Sequence, residues 1–294
     1  LRFRGEELVV HECTSNSFEN IDIVLFAGGS QSKEFALDAV KAGCVVIDNS
    51  SAFRMDPEVP LVVPEVNPED VDWHKGLIAN PNCSTIQMVV ALKPIHDAAK
   101  IKRIIVSTYQ AVSGAGKDGI EALENEVREY VEAGKEPKEL TASAFTYPIA
   151  FNCIPHIDSF LEDGYTKEEM KMVNETRKMF HDDTIAINAT TVRVPVFRSH
   201  SESITIETEK HITPEEVKAL MKNAPGVVLV DDPQANEYPM AINSSGTNEV
   251  YVGRIRRDIS SENGISMWVV ADQLRKGAAT NAIQIAEVIA AKSK

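Results

Sequence analysis

Ile21-Asp22-Ile23-Val24-Leu25-Phe26-Ala27 runs into Gly28-Gly29-Ser30; Gln31 to Gly43 follows, and then Cys44-Val45-Val46-Ile47-Asp48. The opening apolar run ends in a glycine turn, as a strand buried in a parallel sheet does. Phe35, Ala36, Ala39 and Val40 recur at helical spacing, and Gly43 suits the position just past a helix end. Cys44 to Asp48 is a second apolar run. Strand, helix and strand make a βαβ unit, with a right-handed crossover between parallel strands. This stretch predicts most of a doubly wound, Rossmann-like α/β nucleotide-binding domain.

Outward from that unit, Leu77-Ile78-Ala79 reads as a short strand that stops at Asn80-Pro81-Asn82. Cys83 to Lys100 reads as a helix with Ile86, Val89, Val90 and Ile95 on one side. Arg103 to Ala111 is β-branched and strand-like, and Ala115 to Ala133 and Lys167 to Phe180 are amphipathic helices. Four further strands, Ile185–Val196, Ser201–Glu209, Tyr251–Ile259 and Ser266–Val270, surround a helix at Thr213–Asn223 with Pro214 in its first turn. An Ala-rich helix, Leu274 to Lys292, closes the chain. The pattern predicts an α+β domain with a mixed sheet. Residues 1–82 are expected to be the remainder of the nucleotide-binding domain, and 83–270 a catalytic and dimerisation domain. Residues 271–294 are expected to pack back on the first.

The bulk numbers suit two domains. The chain has 294 residues, 43% of them apolar and 25% charged, enough for a sizeable core. A net charge of −14 argues against a nucleic-acid partner but leaves room for a small anion in a locally basic pocket. No apolar run reaches the roughly 18 residues of a membrane span. Leu1-Arg2-Phe3-Arg4-Gly5 has neither an initiator Met nor the apolar core of a signal peptide, so residues are expected upstream and a cytoplasmic address is expected. The four cysteines, Cys13, Cys44, Cys83 and Cys153, form no C-x-x-C pair. Neither a metal site nor a disulfide framework is expected.

Cys83 is where chemistry is expected. It follows Asn80-Pro81-Asn82 and opens a helix, where the dipole favours a thiolate, and Ser84 and Thr85 are placed to satisfy free N–H groups. The bland alternative is a small buried hydrophobe. Cys44, at the start of an apolar strand, reads as core. His200 follows Arg193-Val194-Pro195-Val196-Phe197-Arg198-Ser199, so one strand end brings an Arg and a His toward a common pocket, or else forms a solvated charged loop. Ser113-Gly114-Ala115-Gly116 and Gly28-Gly29-Ser30 are turns whose N–H groups can meet an anion. Glu168 and Lys171 share a helix face, which is also the spacing of an ordinary surface ion pair.

Together these pieces resemble the aspartate-semialdehyde dehydrogenases. "PNCSTIQ" at Cys83, "YQAVSGAG" at Gln110, "EEMK" at Glu168, "RVPVFRSHSE" at Arg193 and His200, "DNSSAFR" at Arg54, "LVVPEVN" and the closing "LRKGAATNAIQIAE" all occur in the family's order. The resemblance implies interconversion of 4-phospho-L-aspartate and L-aspartate 4-semialdehyde with inorganic phosphate and NADPH. It implies Cys83 as nucleophile, His200 as acid/base, and Gln110 and Arg193 as groups that orient substrate, with Arg193 on its α-carboxylate. It further implies Glu168 on the amino group, Asn82 lining the site, and Arg54 and Lys171 on phosphate. Gly28, Gly29, Ser30, Ser113, Gly114 and Asn281 would touch NADP, and a homodimer or homotetramer is expected. The family's G-x-x-G-x-x-G fingerprint is not in the sequence and is expected ahead of Leu1, so NADP binding is expected of the intact parent. Two alternatives stay open: an N-acetyl-glutamyl-phosphate reductase, which typically has Gly-Cys-Tyr-Pro-Thr where this chain has Asn82-Cys83-Ser84-Thr85-Ile86, and a non-catalytic homologue used for subunit association.

Overall fold

The computed structural model describes residues 1–27 and 29–292. A short hairpin, β1 (Arg2–Phe3) and β2 (Glu6–Glu7), precedes the βαβ unit of β3 (Ile23–Phe26), α1 (Ser30–Lys41) and β4 (Val45–Asp48). β5 (Leu77–Ala79) completes a parallel sheet of order β3-β4-β5. Then come α2 (Cys83–Ala99), β6 (Ile101–Gln110), α3 (Gly116–Ala133), α4 (Lys167–Phe180), β7 (Ala186–Arg193) and β8 (His200–Thr208). α5 (Pro214–Asn223), β9 (Val227–Leu229), α6 (Ala241–Ser244), β10 (Val250–Arg257) and β11 (Gly264–Ala271) follow. A π turn, Arg275–Ala279, leads into α7 (Thr280–Lys292), so the closing helix predicted as one piece is interrupted. The second sheet has the order β7-β6-β8-β11-β10-β9 and is mixed, since β6 runs parallel to β7 and β9 to β10 while the other pairs are antiparallel.

α2 is the spine of the molecule. Eleven of its residues are buried, among them Ile86, Met88, Val89, Val90, Leu92 and Ile95. A helix apolar on nearly every side needs neighbours all round, and α2 touches β6, β8, β10, β11, α4 and α5. Its core is continuous with that of the parallel sheet through Val46, Leu77 and Ala79. α7 lies on the other face of that sheet, with Ala282 and Ile285 packed among Ile47, Val62, Val71 and Ile78. The start of α2 is thereby held where the carboxyl ends of β4 and β5, the second sheet and the π turn meet. No helix among the described residues is long and apolar enough to cross a membrane.

Candidate active site

Asn82 fixes where α2 begins. Its Oδ1 accepts the N–H groups of Ser84 and Thr85 at 3.0 and 3.2 Å. The cap is therefore Asn82; Ser84 and Thr85, expected to satisfy free N–H groups, are the residues capped. Cys83 occupies the first helical position and is partly buried. It opens into a cavity of about 300 Å³ lined by Arg54, Asn82, Ser113, Gly114, Gln273 and Gly277 among others. Ala27 and Asn49, just past β3 and β4, line it as well. The cavity thus sits at the carboxyl ends of parallel strands, where open α/β sheets bind ligands.

Two glycines let the backbone close around the thiol. A Cβ on Gly277 would lie 3.0 Å from Cys83 Cβ. One on Gly114 would lie 2.8 Å from Arg193 Nη1, 3.0 Å from His200 Cε1 and 3.2 Å from His200 Nε2. Gly114 is thus a thin partition, with the cavity on one side and Arg193 and His200 behind it. Ser199, at φ +74°, turns the chain so that β8 starts on His200, which is therefore a strand residue and fully buried. His200 Nδ1 accepts the Ala111 N–H at 3.0 Å, while Nε2 has no partner among the described residues. Since a backbone N–H can only donate, the neutral ring carries its hydrogen on Nε2. Burial first, then the Arg193 charge, hold this imidazole well below its ordinary pKa, so it is neutral. Arg193 ends β7, donates from Nη1 to Ala111 O at 2.6 Å and stacks over Phe145.

Glu168 is the hub of the polar groups. Its Oε1 accepts Asn82 Nδ2 at 2.9 Å and Gln110 Nε2 at 3.2 Å, and its Oε2 accepts Lys171 Nζ at 3.1 Å. Unlike a surface pair, Glu168 is only 5% exposed. Lys171 also donates to Asp158 at 2.8 Å. Burial opposes its charge, but Glu168 and Asp158 prevail and raise its pKa. Arg54 donates from Nε to Asn80 O, from Nη2 to Asn49 O and from Nη1 to Glu175 at 3.1 Å. Arg54 and Lys171 line a second cavity of about 210 Å³ with Ser51 and Lys167, and Arg54 is shared with the Cys83 cavity.

The electrostatics correct one expectation. The Cys83 thiol is not lowered; it is pushed up to about 12, by burial first and then by the Glu168 carboxylate, against the pull of Arg193, Arg54 and a hydrogen bond with Ser84. A helix end contributes about 0.3–1 kcal/mol, which is less than one pKa unit, and desolvation outweighs it. Without substrate, Cys83 is a thiol.

Cys83, Asn82, Arg54, Ser113 and Gly114 line one cavity; Gln110, Glu168 and Lys171 join it through Asn82, and Arg193 and His200 through Gly114. Gly29, at φ +89°, leads into α1, while Gly28 lies outside the described residues. Ser30 is the first residue of α1. Asn281 is not among the described residues that line the Cys83 cavity. It is fully buried, with Nδ2 on Val62 O and Asn80 Oδ1 and Oδ1 taking Lys276 Nζ, so its amide locks α7 to the core. Three residues of the site were not picked out from sequence. Glu175 accepts the Asn82 N–H at 2.6 Å besides pairing with Arg54. Gln273 takes the Ser199 N–H on Oε1 and donates to Ser113 from Nε2. Lys178 donates to the carbonyls of Arg54, Asp56 and Val59 at 2.7–2.8 Å, fixing the loop that carries Arg54. Glu175 and Lys178 continue the Glu168/Lys171 face at spacings of four and three, which is the signal that could have found them.

Comparison with known proteins defines the class. Residues 2–74 match the semialdehyde dehydrogenase NAD-binding domain, and residues 92–276 match the semialdehyde dehydrogenase dimerisation domain. An aspartate-semialdehyde dehydrogenase of Aquifex aeolicus is 63% identical over 98% of this chain and 85% of the relative. The crystal structure of aspartate semialdehyde dehydrogenase II complexed with ASA from Vibrio cholerae superposes with a TM-score of 0.94 at 48% identity, covering 99% of this chain and 85% of that one. The Candida albicans aspartate semialdehyde dehydrogenase with NADP gives a TM-score of 0.71 at 25% identity, covering 92% and 78%. The chain belongs to the aspartate-semialdehyde dehydrogenase family.

Proposed function

We propose that the chain carries out the reversible, NADPH-dependent reductive dephosphorylation of 4-phospho-L-aspartate to L-aspartate 4-semialdehyde through a thioester on Cys83, a step of lysine, threonine, methionine and diaminopimelate biosynthesis. The observation that carries this reading is the Cys83 cavity. A thiol at a helix N-terminus shares it with Arg54, and Glu168 and Arg193 lie one residue behind its wall. That set complements a small zwitterion bearing a phosphoryl group.

Arg193 clamps the α-carboxylate and Glu168 takes the ammonium group, exchanging bonds it now makes to Asn82 and Gln110. Cys83 Sγ attacks the acyl carbon, the bond to the phosphate oxygen breaks, and phosphate departs toward Arg54 and Lys171. The thiol proton goes to the departing phosphate, so thiol and acyl phosphate become thioester and hydrogen phosphate. Dividing one displacement into two lowers each barrier. NADP fits the cavity's place at the strand ends, with the Gly29 turn, Ser113 and Gly114 as the residues that would hold it. When bound as NADPH it supplies the hydride that reduces the thioester. His200 donates a hydrogen bond from Nε2 to the oxygen that becomes negative, and collapse of that oxyanion expels the Cys83 sulfur, which is protonated by way of His200 as water resupplies the ring. In the reverse direction His200 is the acid/base that receives the thiol proton. It must then release the Ala111 N–H, because Nε2 already bears a hydrogen while Nδ1 accepts.

The matched dimerisation domain makes an oligomer part of the reading. We assign a homodimer to the face of the second sheet away from α2, where Tyr109 and Trp268 pack at 5.3 Å beside a cavity of about 540 Å³ that also includes Tyr238 and Met240. A cytoplasmic address keeps the nucleophile reduced; all four cysteines are free. The deciding experiment is phosphate-dependent reduction of NADP by the purified protein with aspartate semialdehyde. Cys83→Ser should abolish turnover with the fold intact, and Cys44→Ser should lower stability and spare the chemistry. Absence of activity in the wild type, or equal activity in the two variants, overturns the reading.

A further inference from the structure

Gln87 and Glu202 lie beneath the site, and none of the steps above uses them. Gln87 is on α2, one turn beyond Cys83, and Glu202 is on β8, two residues beyond His200 and on the same face of the strand. Both are fully buried. Gln87 Nε2 donates to His200 O at 3.3 Å, which fixes which end of its amide faces the strand. Among the described residues its Oε1 has no hydrogen-bond partner, and neither do the two carboxyl oxygens of Glu202. A buried oxygen without a donor is costly, and three together are unusual. The strands flanking Glu202 place Thr108 and Val269 opposite it, and among the described residues no cation acts on it; burial pushes its carboxyl up, and the Gln87 amide, close enough to act on it, opposes that more weakly. An ionised carboxylate cannot satisfy Gln87 Oε1. A protonated one can, since its O–H is a donor.

We propose that Glu202 is a neutral carboxylic acid whose O–H donates to Gln87 Oε1, and that this pair is a positioning device: it orients Gln87 onto His200 O and so couples the helix of the nucleophile to the strand of the acid/base. The inference rests on the reading of Cys83 and His200 given above. Neither Gln87 nor Glu202 touches substrate. Their contribution is to the separation of two groups that do, and a misplacement of about 1 Å at a reacting centre can cost about a hundredfold in rate.

The test uses E202L, E202Q, Q87M and the E202L/Q87M double variant of the full chain. Two measurements are made: kcat and KM for aspartate semialdehyde, and the rate at which iodoacetamide alkylates Cys83, followed by mass spectrometry. E202L and Q87M should each lower kcat by about tenfold or more with KM little changed. E202Q keeps an N–H donor and should recover most of that loss. The double variant should be no worse than the poorer single variant, because the two side chains act as one unit. Alkylation should change in E202L and Q87M and return toward the wild-type rate in E202Q. If E202L does not fold, Q87M and E202Q carry the test. Wild-type kcat in Q87M, equal damage in E202Q and E202L, or additive losses in the double variant overturn the proposal. An inactive wild type overturns the proposed function instead, and the alkylation rates then decide the positioning role alone.

Discussion

Glu175 Oε1 lies 3.1 Å from Arg54 Nη1, with the two side chains 1% and 10% exposed. The other carboxylate oxygen holds the N–H of Asn82, the residue before Cys83. One side chain thus sets both the arginine assigned to phosphate and the turn that presents the nucleophile. Its own pKa is raised, by burial first, with Arg54 and the Asn82 N–H pulling it back. Removing one partner of a buried ion pair costs about 3–5 kcal/mol. Glu175→Gln should therefore lower unfolding stability by a few kcal/mol in urea titrations. It should also raise KM for phosphate more than KM for aspartate semialdehyde; equal rises would detach Glu175 from the phosphate side.

A thiol at about 12 has a definite kinetic signature. In substrate-free enzyme, alkylation of Cys83 should climb about tenfold per pH unit from pH 7 to 9.5, because the thiolate fraction climbs that way far below the pKa. A plateau near pH 8 would mean that the site ionises Cys83 before substrate arrives.

Arg193 and His200 separate binding from chemistry. Arg193→Lys keeps a charge but loses the planar pair of donors. The lost bonds are worth about 1.5–3 kcal/mol, so KM should rise at least about tenfold, with kcat also falling. His200→Ala should lower kcat by roughly 10²–10⁴-fold with a smaller change in KM. Near-normal constants in both variants would place the pair outside the reaction.

Gly114→Ala inserts a methyl group 2.8 Å from Arg193 Nη1 and 3.0 Å from the His200 ring. Both neighbours are held by Ala111, the guanidinium through its carbonyl and the ring through its N–H, so neither gives way freely. Turnover should drop by more than about tenfold while the melting temperature changes little. An unchanged kcat would show that the partition has slack.

Glu202 gives the fold a pH dependence of definite sign. Its carboxyl is held well above its ordinary value of 4.5 by burial, with Gln87 the smaller opposing influence. The folded chain therefore keeps a proton that the unfolded chain releases. Stability from this group is complete below about pH 4.5 and is lost as pH rises toward the folded value, by about 1.4 kcal/mol per unit. The stability of Glu202→Gln relative to wild type should accordingly increase from pH 5 to pH 8 in parallel urea titrations. A constant difference would mean that Glu202 is charged in the fold.

Much of the architecture is legible because its periods are strong. The apolar stripe of α4 marks the helix from Lys167 to Phe180, as observed, and Asn80-Pro81-Asn82 marks the start of α2. β9, with three half-buried residues, and α6, with one turn, carry too little pattern to stand out. The roles of Cys83, Arg54, Glu168 and Arg193 come from resemblance, whereas their partners come from folding. Arg54 and Glu175 are 121 residues apart, and no local spacing joins them. The ionisation of Cys83 was misjudged for the same reason: a helix start is visible in sequence, but the burial that outweighs it is tertiary. Asn281 reads as a polar group in a small-residue segment, yet it is consumed by Val62, Asn80 and Lys276, each distant or on the preceding turn.

Glu168, Lys171, Glu175 and Lys178 stand on one helix and reach, in turn, Asn82 and Gln110, Glu168 itself, Arg54, and the Arg54 loop. A single-residue insertion or deletion between Thr166 and Glu168 would swing that whole row by roughly 100° about the helix axis. Every one of those contacts would fail together, although no side chain had been altered. Point changes in α4 can each be judged one contact at a time; changes in its length cannot. In this segment the count of residues is under tighter constraint than the choice of most of them, and a library of indels should find α4 intolerant even at positions such as Asn174, which stands outside this row of contacts.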